Sequence, residues 1–251
     1  MSMGSNQRPA GDESAPPASL RALGFVLGES LRAMFYFLIF LPTFLAVSYL
    51  RPAHAASWLA IGIVGFYLAG VLLIFLLVLA KRVLIGTLET NQIVTMQTSA
   101  GKRFYFASML HGVMLSSPFK LMISTLSPLA PFYYRGMGAK MASNVFISGS
   151  VRLSDPWFLE MHENATVGGG TVILGHAGDG RDIILGSVFI GEGAIIGARC
   201  VVLPNTRIGR NARVGAGAVV LRGTVIPDGE TWAGVPARRI ASRRDLIRPT
   251  R

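Results

Sequence analysis

His176 stands in the string TVILGHAGDGRDIILGSVFIG, residues 171–191, followed closely by Asp179 and Asp182. An imidazole titrates near neutrality, so it can take a proton from an attacking hydroxyl or amine and return one to a leaving thiolate without a covalent enzyme intermediate. A neighbouring carboxylate fixes the tautomer of such a base, and Asp179 and Asp182 are the two candidates in the same stretch; either could instead cap a turn or face solvent. Other residues with chemistry to offer are few. Cys200 is the single cysteine, which excludes an internal disulfide and a cysteine metal cluster. His162, in EMHENA, reads as a solvent-facing corner residue with acceptor binding as the alternative. His111, in SMLHGVM, reads as a hydrogen-bonded core histidine, and His54 as a loop residue.

The elements that must position His176 divide the chain of 251 residues into two unlike parts. Mean hydropathy is +0.49 and 51% of residues are hydrophobic, more than a soluble domain needs, so part of the chain is expected in lipid. The net charge of +11 favours anionic partners. With no nucleic-acid-binding signature present, anionic lipid or a phosphorylated cofactor accounts for it better than nucleic acid. Residues 1–30 begin as a polar, Pro- and Ser-rich tail expected to be disordered. Two uncharged runs, 33–50 and 58–80, are each long enough to cross a bilayer as helices, giving a two-helix transmembrane hairpin over 31–82. PAHAAS after the first run has the look of a cleavage site, but the long polar segment before it is unlike a secretory signal. Lys and Arg flank the hairpin on the side of both termini, which predicts a cytoplasmic location for the rest of the chain. Residues 83–140 mix aromatic, basic and apolar groups and read either as juxtamembrane amphipathic helices or as a helical cap on the domain that follows.

From Ile184 onward an aliphatic or aromatic residue recurs every six positions: Ile184, Ile190, Ile196, Val202, Ile208, Val214, Val220, Ile226 and Trp232. Small residues, among them Ala194, Cys200, Thr206, Ala212 and Ala218, follow four positions after the first eight, with Glu230 the exception at the end. Neither a helix nor a flat strand has that period. It describes a solenoid whose short flat sides meet at tight corners, with the small residues turned inward, so Cys200 reads as packing and not as a nucleophile. Counted in eighteens, Ile184-Leu185, Val202-Leu203 and Val220-Leu221 form a column bearing a leucine ladder. The metre runs back through Ile173, Val167 and Met161 and, after a two-residue slip at SDPWF, through Leu153, Ile147 and Met141. Between Ile173 and Ile184 there are five residues too many, which predicts a loop with His176 at its base.

The strings IGEGAI, IGARCV, IGRNAR and VGAGAV resemble the hexapeptide repeats of left-handed parallel β-helix acyltransferases. The run through WAGVPARRI is similar to the maltose and galactoside acetyltransferases. PLAPFYYRGMGAKM and the spacing of LGH, DGR and LG resemble the membrane-attached hexapeptide domain of poly-amino-acid synthetases. The resemblance implies an all-β left-handed parallel β-helix over 141–237, assembled as a homotrimer, with a basic tail over 238–251. It implies a general base at His176 and cofactor contacts at Ala198, Ala216 and Arg238, with Leu221 standing where the sugar acetyltransferases carry a hydroxyl.

The expected function is therefore transfer of an acyl group, acetyl first among them, from acyl-CoA to a hydroxyl or amine of a lipid-linked, glycan or small-molecule acceptor at the cytoplasmic face of the inner membrane. No metal is expected. An acyl carrier protein is the alternative donor, since its acidic surface suits a chain of charge +11. A non-catalytic trimeric membrane scaffold is the alternative of a different class. A γ-type carbonic anhydrase on the same solenoid would need three zinc histidines, and the repeat holds only His162 and His176.

Overall fold

The computed structural model describes residues 55–125 and 129–240, together with 33–42 and a few isolated positions before residue 50. The expected N-terminal tail, residues 51–54 with His54, and the chain beyond Ile240 lie outside the described residues. Two layers are packed on each other, a helical one and a solenoid. The first contains α1 (Ala33–Pro42), α2 (Ala55–Ala80, continuing as a π-helical turn, Lys81–Ile85), α3 (Ser99–Ser116), α4 (Lys120–Thr125) and α5 (Leu129–Met137). Only the helical span Ser57–Ile85 is long and apolar enough to cross a membrane among the described residues. One face of its C-terminal half is buried through Ala69, Leu73, Ile74 and Leu77, while Leu59, Val64, Leu68, Val71 and Phe75 are exposed. At Gly70 a Cβ would run into the Met122 sulfur and the Phe119 ring, so glycine lets α4 approach α2 closely.

α3 is started by Thr98, whose hydroxyl accepts a hydrogen bond from Gly101 N–H at 3.0 Å. Its buried side, Phe104, Ala107, Leu110, His111 and Met114, follows helical spacing. That side rests against the solenoid: Phe104 meets Trp157 and Phe158, and His111 reaches the Leu153 carbonyl. Within 83–140, α3 is therefore packed on the domain that follows.

The solenoid has three faces of parallel strands. The first is built from Lys140–Met141, Leu159–Met161, Val188–Ile190, Thr206–Ile208 and Val225–Ile226. The second stacks Phe146–Ile147, Thr166–Val167, Ile195–Ile196, Arg213–Val214 and Thr231–Ala233. The third stacks Arg152–Leu153, Val172–Ile173, Val201–Val202 and Val219–Val220. The hexad positions form its core, with Ile190, Ile196, Val202, Ile208 and Val220 all fully buried and Ala194, Cys200, Ala212 and Ala218 filling the inward slots between them. The Cys200 thiol donates to the Gly215 carbonyl at 3.1 Å and burial raises its pKa, both consistent with packing. At Gly197 a Cβ would fall 2.5 Å from the Ala216 backbone nitrogen, so the coils can stack there only without a side chain.

Three expectations are corrected. Val202 stacks on Ile173 and not on Ile184, whose partners are Ala177 and Ile93; the third column of the core is thus Leu153, Ile173, Val202 and Val220, and the ladder beside it holds Leu174 where Leu185 was expected. The excursion therefore runs from Ile173 to Ile190, seventeen steps in place of six. Finally, Arg238–Ile240 is no tail: it forms an antiparallel strand on Thr231–Ala233 and closes the second face.

Candidate active site

The excursion is a β-hairpin. His176–Asp179 pairs with Asp182–Leu185 through a two-residue turn, Gly180-Arg181, in which Gly180 takes the positive φ of +63° that such turns need at their first central position. A strand from the helical layer, Gln92–Thr95, adds to the returning side with Ile93 opposite Ile184. Gly186 N–H donates to the Gly175 carbonyl at 2.8 Å and closes the base of the hairpin, where the chain rejoins the coil.

His176 sits at that base, and the carboxylate beside it is Asp155. His176 Nδ1–H donates to Asp155 Oδ2 at 2.6 Å, and the same oxygen accepts Gly175 N–H at 2.9 Å. Asp155 comes from the corner SDPWF, where the extra residues form a 3-10 turn, Pro156–Phe158; its side chain makes no cap bond to that turn and is left for the histidine. The two partners differ in exposure, with the His176 side chain 36% accessible and that of Asp155 1%. Pairing Nδ1 with a carboxylate leaves Nε2 as the nitrogen with a free lone pair, the form in which imidazole accepts a proton. The hydrogen bond to Asp155 raises the His176 pKa above its ordinary value, with burial opposing and the carboxylate charge adding to the rise. Above the ring lies Phe104 of α3, with centroids 5.2 Å apart.

Asp179 and Asp182 do not reach His176. They face each other across the exposed end of the hairpin, three strand residues away, or about 10 Å at 3.3 Å per residue. Their proximity in sequence is lost because the segment is an extended strand and not a folded loop. Ala198 and Ala216 lie at the corner between the second and third faces, where Gly217 N–H donates to the Ala198 carbonyl at 2.8 Å. Arg238 is exposed on the same side, opposite Ala233 in the closing strand. His176 leaves from the other edge of the third face, so one copy of the chain separates the base from the three cofactor candidates by the width of that face.

The two other described histidines, His162 and His111, both have partners. His162 is exposed, hydrogen-bonded to Glu160 at 2.9 Å and set against Phe189, on which Arg207 also stacks. His111 is buried, with Nδ1 accepting from the Tyr133 hydroxyl and Nε2–H donating to the Leu153 carbonyl, both at 2.8 Å. Burial lowers its pKa to about 4, so it is neutral. Among the described residues no group of His, Cys, Asp and Glu could hold a metal ion. Sequence reasoning passed over Asp155 and Phe104; the two-residue slip that contains Asp155 was visible, but its distance of 21 positions from His176 hid the contact.

Residues 187–222 match the family described as bacterial transferase hexapeptide (six repeats). Over 114 residues the chain is 27% identical to the delta-poly-L-ornithine synthetase of Acinetobacter baumannii (strain AB307-0294), a stretch that is 45% of this chain and 8% of that protein. The chain thus spans less than a tenth of the length of that curated relative. Among solved structures it is similar to a maltose O-acetyltransferase from Clostridium difficile 630 at 15% identity, covering 61% of this chain and 97% of the other with a TM-score of 0.45. It is also similar to a galactoside acetyltransferase in complex with coenzyme A, at 19% identity, 64% and 92% coverage and a TM-score of 0.44.

Proposed function

We propose that the protein is an acyltransferase that moves an acyl group, acetyl first, from acyl-CoA to a hydroxyl or amine acceptor, with His176 as general base. The observation that carries this reading is the Asp155–His176 pair. A carboxylate taken out of water costs several kcal/mol unless it is compensated, and a scaffold has no use for one that orients an accessible imidazole. Nε2 takes the acceptor proton as the acceptor lone pair attacks the thioester carbonyl carbon. The tetrahedral intermediate then collapses, the C–S bond breaks, and the proton passes to the departing thiolate. Asp155 holds the ring and stabilises the imidazolium formed on the way.

Ala198 and Ala216 present nothing larger than a methyl group, so an extended pantetheine arm fits along their corner, and exposed Arg238 at its end suits a phosphate. Separation of this corner from His176 across the third face supports a trimer in which a neighbouring copy completes each site. Arg238→Ala is expected to raise KM for acetyl-CoA several-fold with a smaller change in kcat, as when a contact common to ground and transition states is lost, measured by release of free thiol. An unchanged KM removes Arg238 from the site. An acyl carrier protein as donor would show itself as turnover with acyl carrier protein and none with CoA thioesters.

The acceptor class follows from a membrane reading of the helical layer, with a hairpin formed by 33–50 and 58–80 and the solenoid on the cytoplasmic side. Exposed apolar side chains along α2, with Arg82, Lys102 and Arg103 exposed at and beyond its C-terminal end, support insertion with the basic end at cytoplasmic headgroups. A lipid-linked acceptor would then lie within reach of the solenoid. A reporter placed in the 51–57 link is expected to be accessible from outside only, and one after Arg251 from the cytoplasm only. A cytoplasmic signal from the link defeats the hairpin.

A further inference from the structure

Four buried side-chain polar atoms lack a hydrogen-bond partner among the described residues, and three lie on elements that meet around Asp155: its own Oδ1, Trp157 Nε1 and Ser108 Oγ. Ser108 occupies the same face of α3 as Phe104 and His111, being four residues after one and three before the other. Those two neighbours fix where the face points. Phe104 meets Trp157, Phe158 and His176, while His111 meets Trp157 and the Leu153 carbonyl. A helical serine ordinarily returns its hydroxyl to the carbonyl four residues back, as Ser116 does to Gly112 at 2.7 Å. The Ser108 hydroxyl makes no such bond and remains a free donor and acceptor. Trp157 adds a donor that cannot accept, and Asp155 Oδ1 is an acceptor whose twin oxygen is already committed to His176 and Gly175.

We propose that Ser108 and Trp157 are positioning residues, which together with Asp155 Oδ1 enclose one water molecule and through it set the proton affinity of His176. The bookkeeping of donors closes. Such a water accepts from Trp157 Nε1–H, donates to Asp155 Oδ1 and exchanges a hydrogen bond with the Ser108 hydroxyl, which falls within the two to four partners a buried water needs. The helical layer thereby becomes part of the site and not only its cover. Other ionisable groups around the pair are His111 on α3, Tyr133 on α5, Arg152 on the same coil and Lys81 on the π-helical turn, whose ammonium lies against Gly138 beside Trp157. Of these, His111 is neutral, because burial lowers its pKa to about 4.

This inference rests on His176 being the base, and its test is read first without activity. Loss of either partner weakens the hold on the water that donates to Oδ1 and leaves more negative potential on the carboxylate, which favours the imidazolium. Ser108→Ala should therefore move the His176 titration midpoint, followed by NMR, upward by about half a pH unit, and lower kcat near neutrality by roughly 3- to 10-fold with KM unchanged. Trp157→Phe should act in the same direction, and Ser108→Thr should restore the wild-type midpoint. In an Asp155→Asn background, Ser108→Ala should have no further effect on that midpoint, since its route to the imidazole is gone. An unmoved midpoint in both Ser108→Ala and Trp157→Phe, or an equal shift with and without the Asp155 carboxylate, overturns the proposal. If replacing His176 leaves acyl transfer intact, the functional reading falls while the titration result stands by itself.

Discussion

His176→Asn is expected to lower acyl transfer by roughly 10²- to 10⁴-fold, the loss usual when a general base is removed, while the protein remains folded. The choice of asparagine follows from the geometry. Its amide N–H sits where Nδ1 does and can still donate to Asp155 Oδ2, which in the wild-type protein lies 2.6 Å from His176 Nδ1. What disappears is Nε2, the nitrogen with nothing to do except accept a proton. His176→Ala is the less informative substitution, since it also leaves Oδ2 of the buried carboxylate with only the N–H of Gly175, and breaking a buried pair costs about 3–5 kcal/mol. Activity should therefore vanish in both variants, with thermal unfolding shifted down in His176→Ala and close to wild type in His176→Asn. Retention of more than a few per cent of turnover by His176→Asn removes the base from His176.

Much of the solenoid was legible because its period is set locally. Every hexad needs one large side chain inward and one small residue four positions on, and this constraint repeats whatever else the chain does. The same regularity produced the error at Ile184. That residue lies six positions before Ile190 and is nearly buried, so it satisfies the count, yet its burial comes from the hairpin and from Ile93. A position can keep the metre without belonging to the coil. Periodicity reports which side chains are inward; it does not report what they face.

The site was legible only in half. His176 could be found because it breaks a pattern, whereas Asp155 depends on the number of residues in the turn between two coils, and that number became known only once the first coil had been placed. Asp179 and Asp182 were attractive because they are near in sequence, but an antiparallel strand carries neighbours away at over 3 Å per residue. The role of α3 was hidden for a similar reason. Phe104, Ser108 and His111 announce an amphipathic face by their spacing, and nothing in that spacing says that the face will close over a histidine some seventy positions further on.

Asp155→Asn should reduce kcat by on the order of 10²-fold, between the usual cost of an outer-shell partner and that of a buried carboxylate in a hydrolytic triad. Two effects contribute, and their pH dependence separates them. The hydrogen bond to Asp155 is the main reason that the His176 pKa is raised, so in wild type the base is protonated and idle up to a pH above the ordinary histidine value. Removal of the charge lowers that pKa, and the acidic limb of the kcat/KM profile should move to lower pH even as its plateau falls. More of the base is then free at pH 6, and less of it is useful, because the imidazolium formed during transfer has lost its counter-charge. Stability carries the opposite signature. A histidine whose pKa is higher folded than unfolded contributes stability fully below its unfolded pKa, near 6.5, and loses it as pH rises through the folded value. Wild type should therefore lose an increment of stability across that window, and Asp155→Asn should not. A variant whose rate falls with the acidic limb unmoved would show that Asp155 packs the corner and leaves the proton affinity of His176 to other groups.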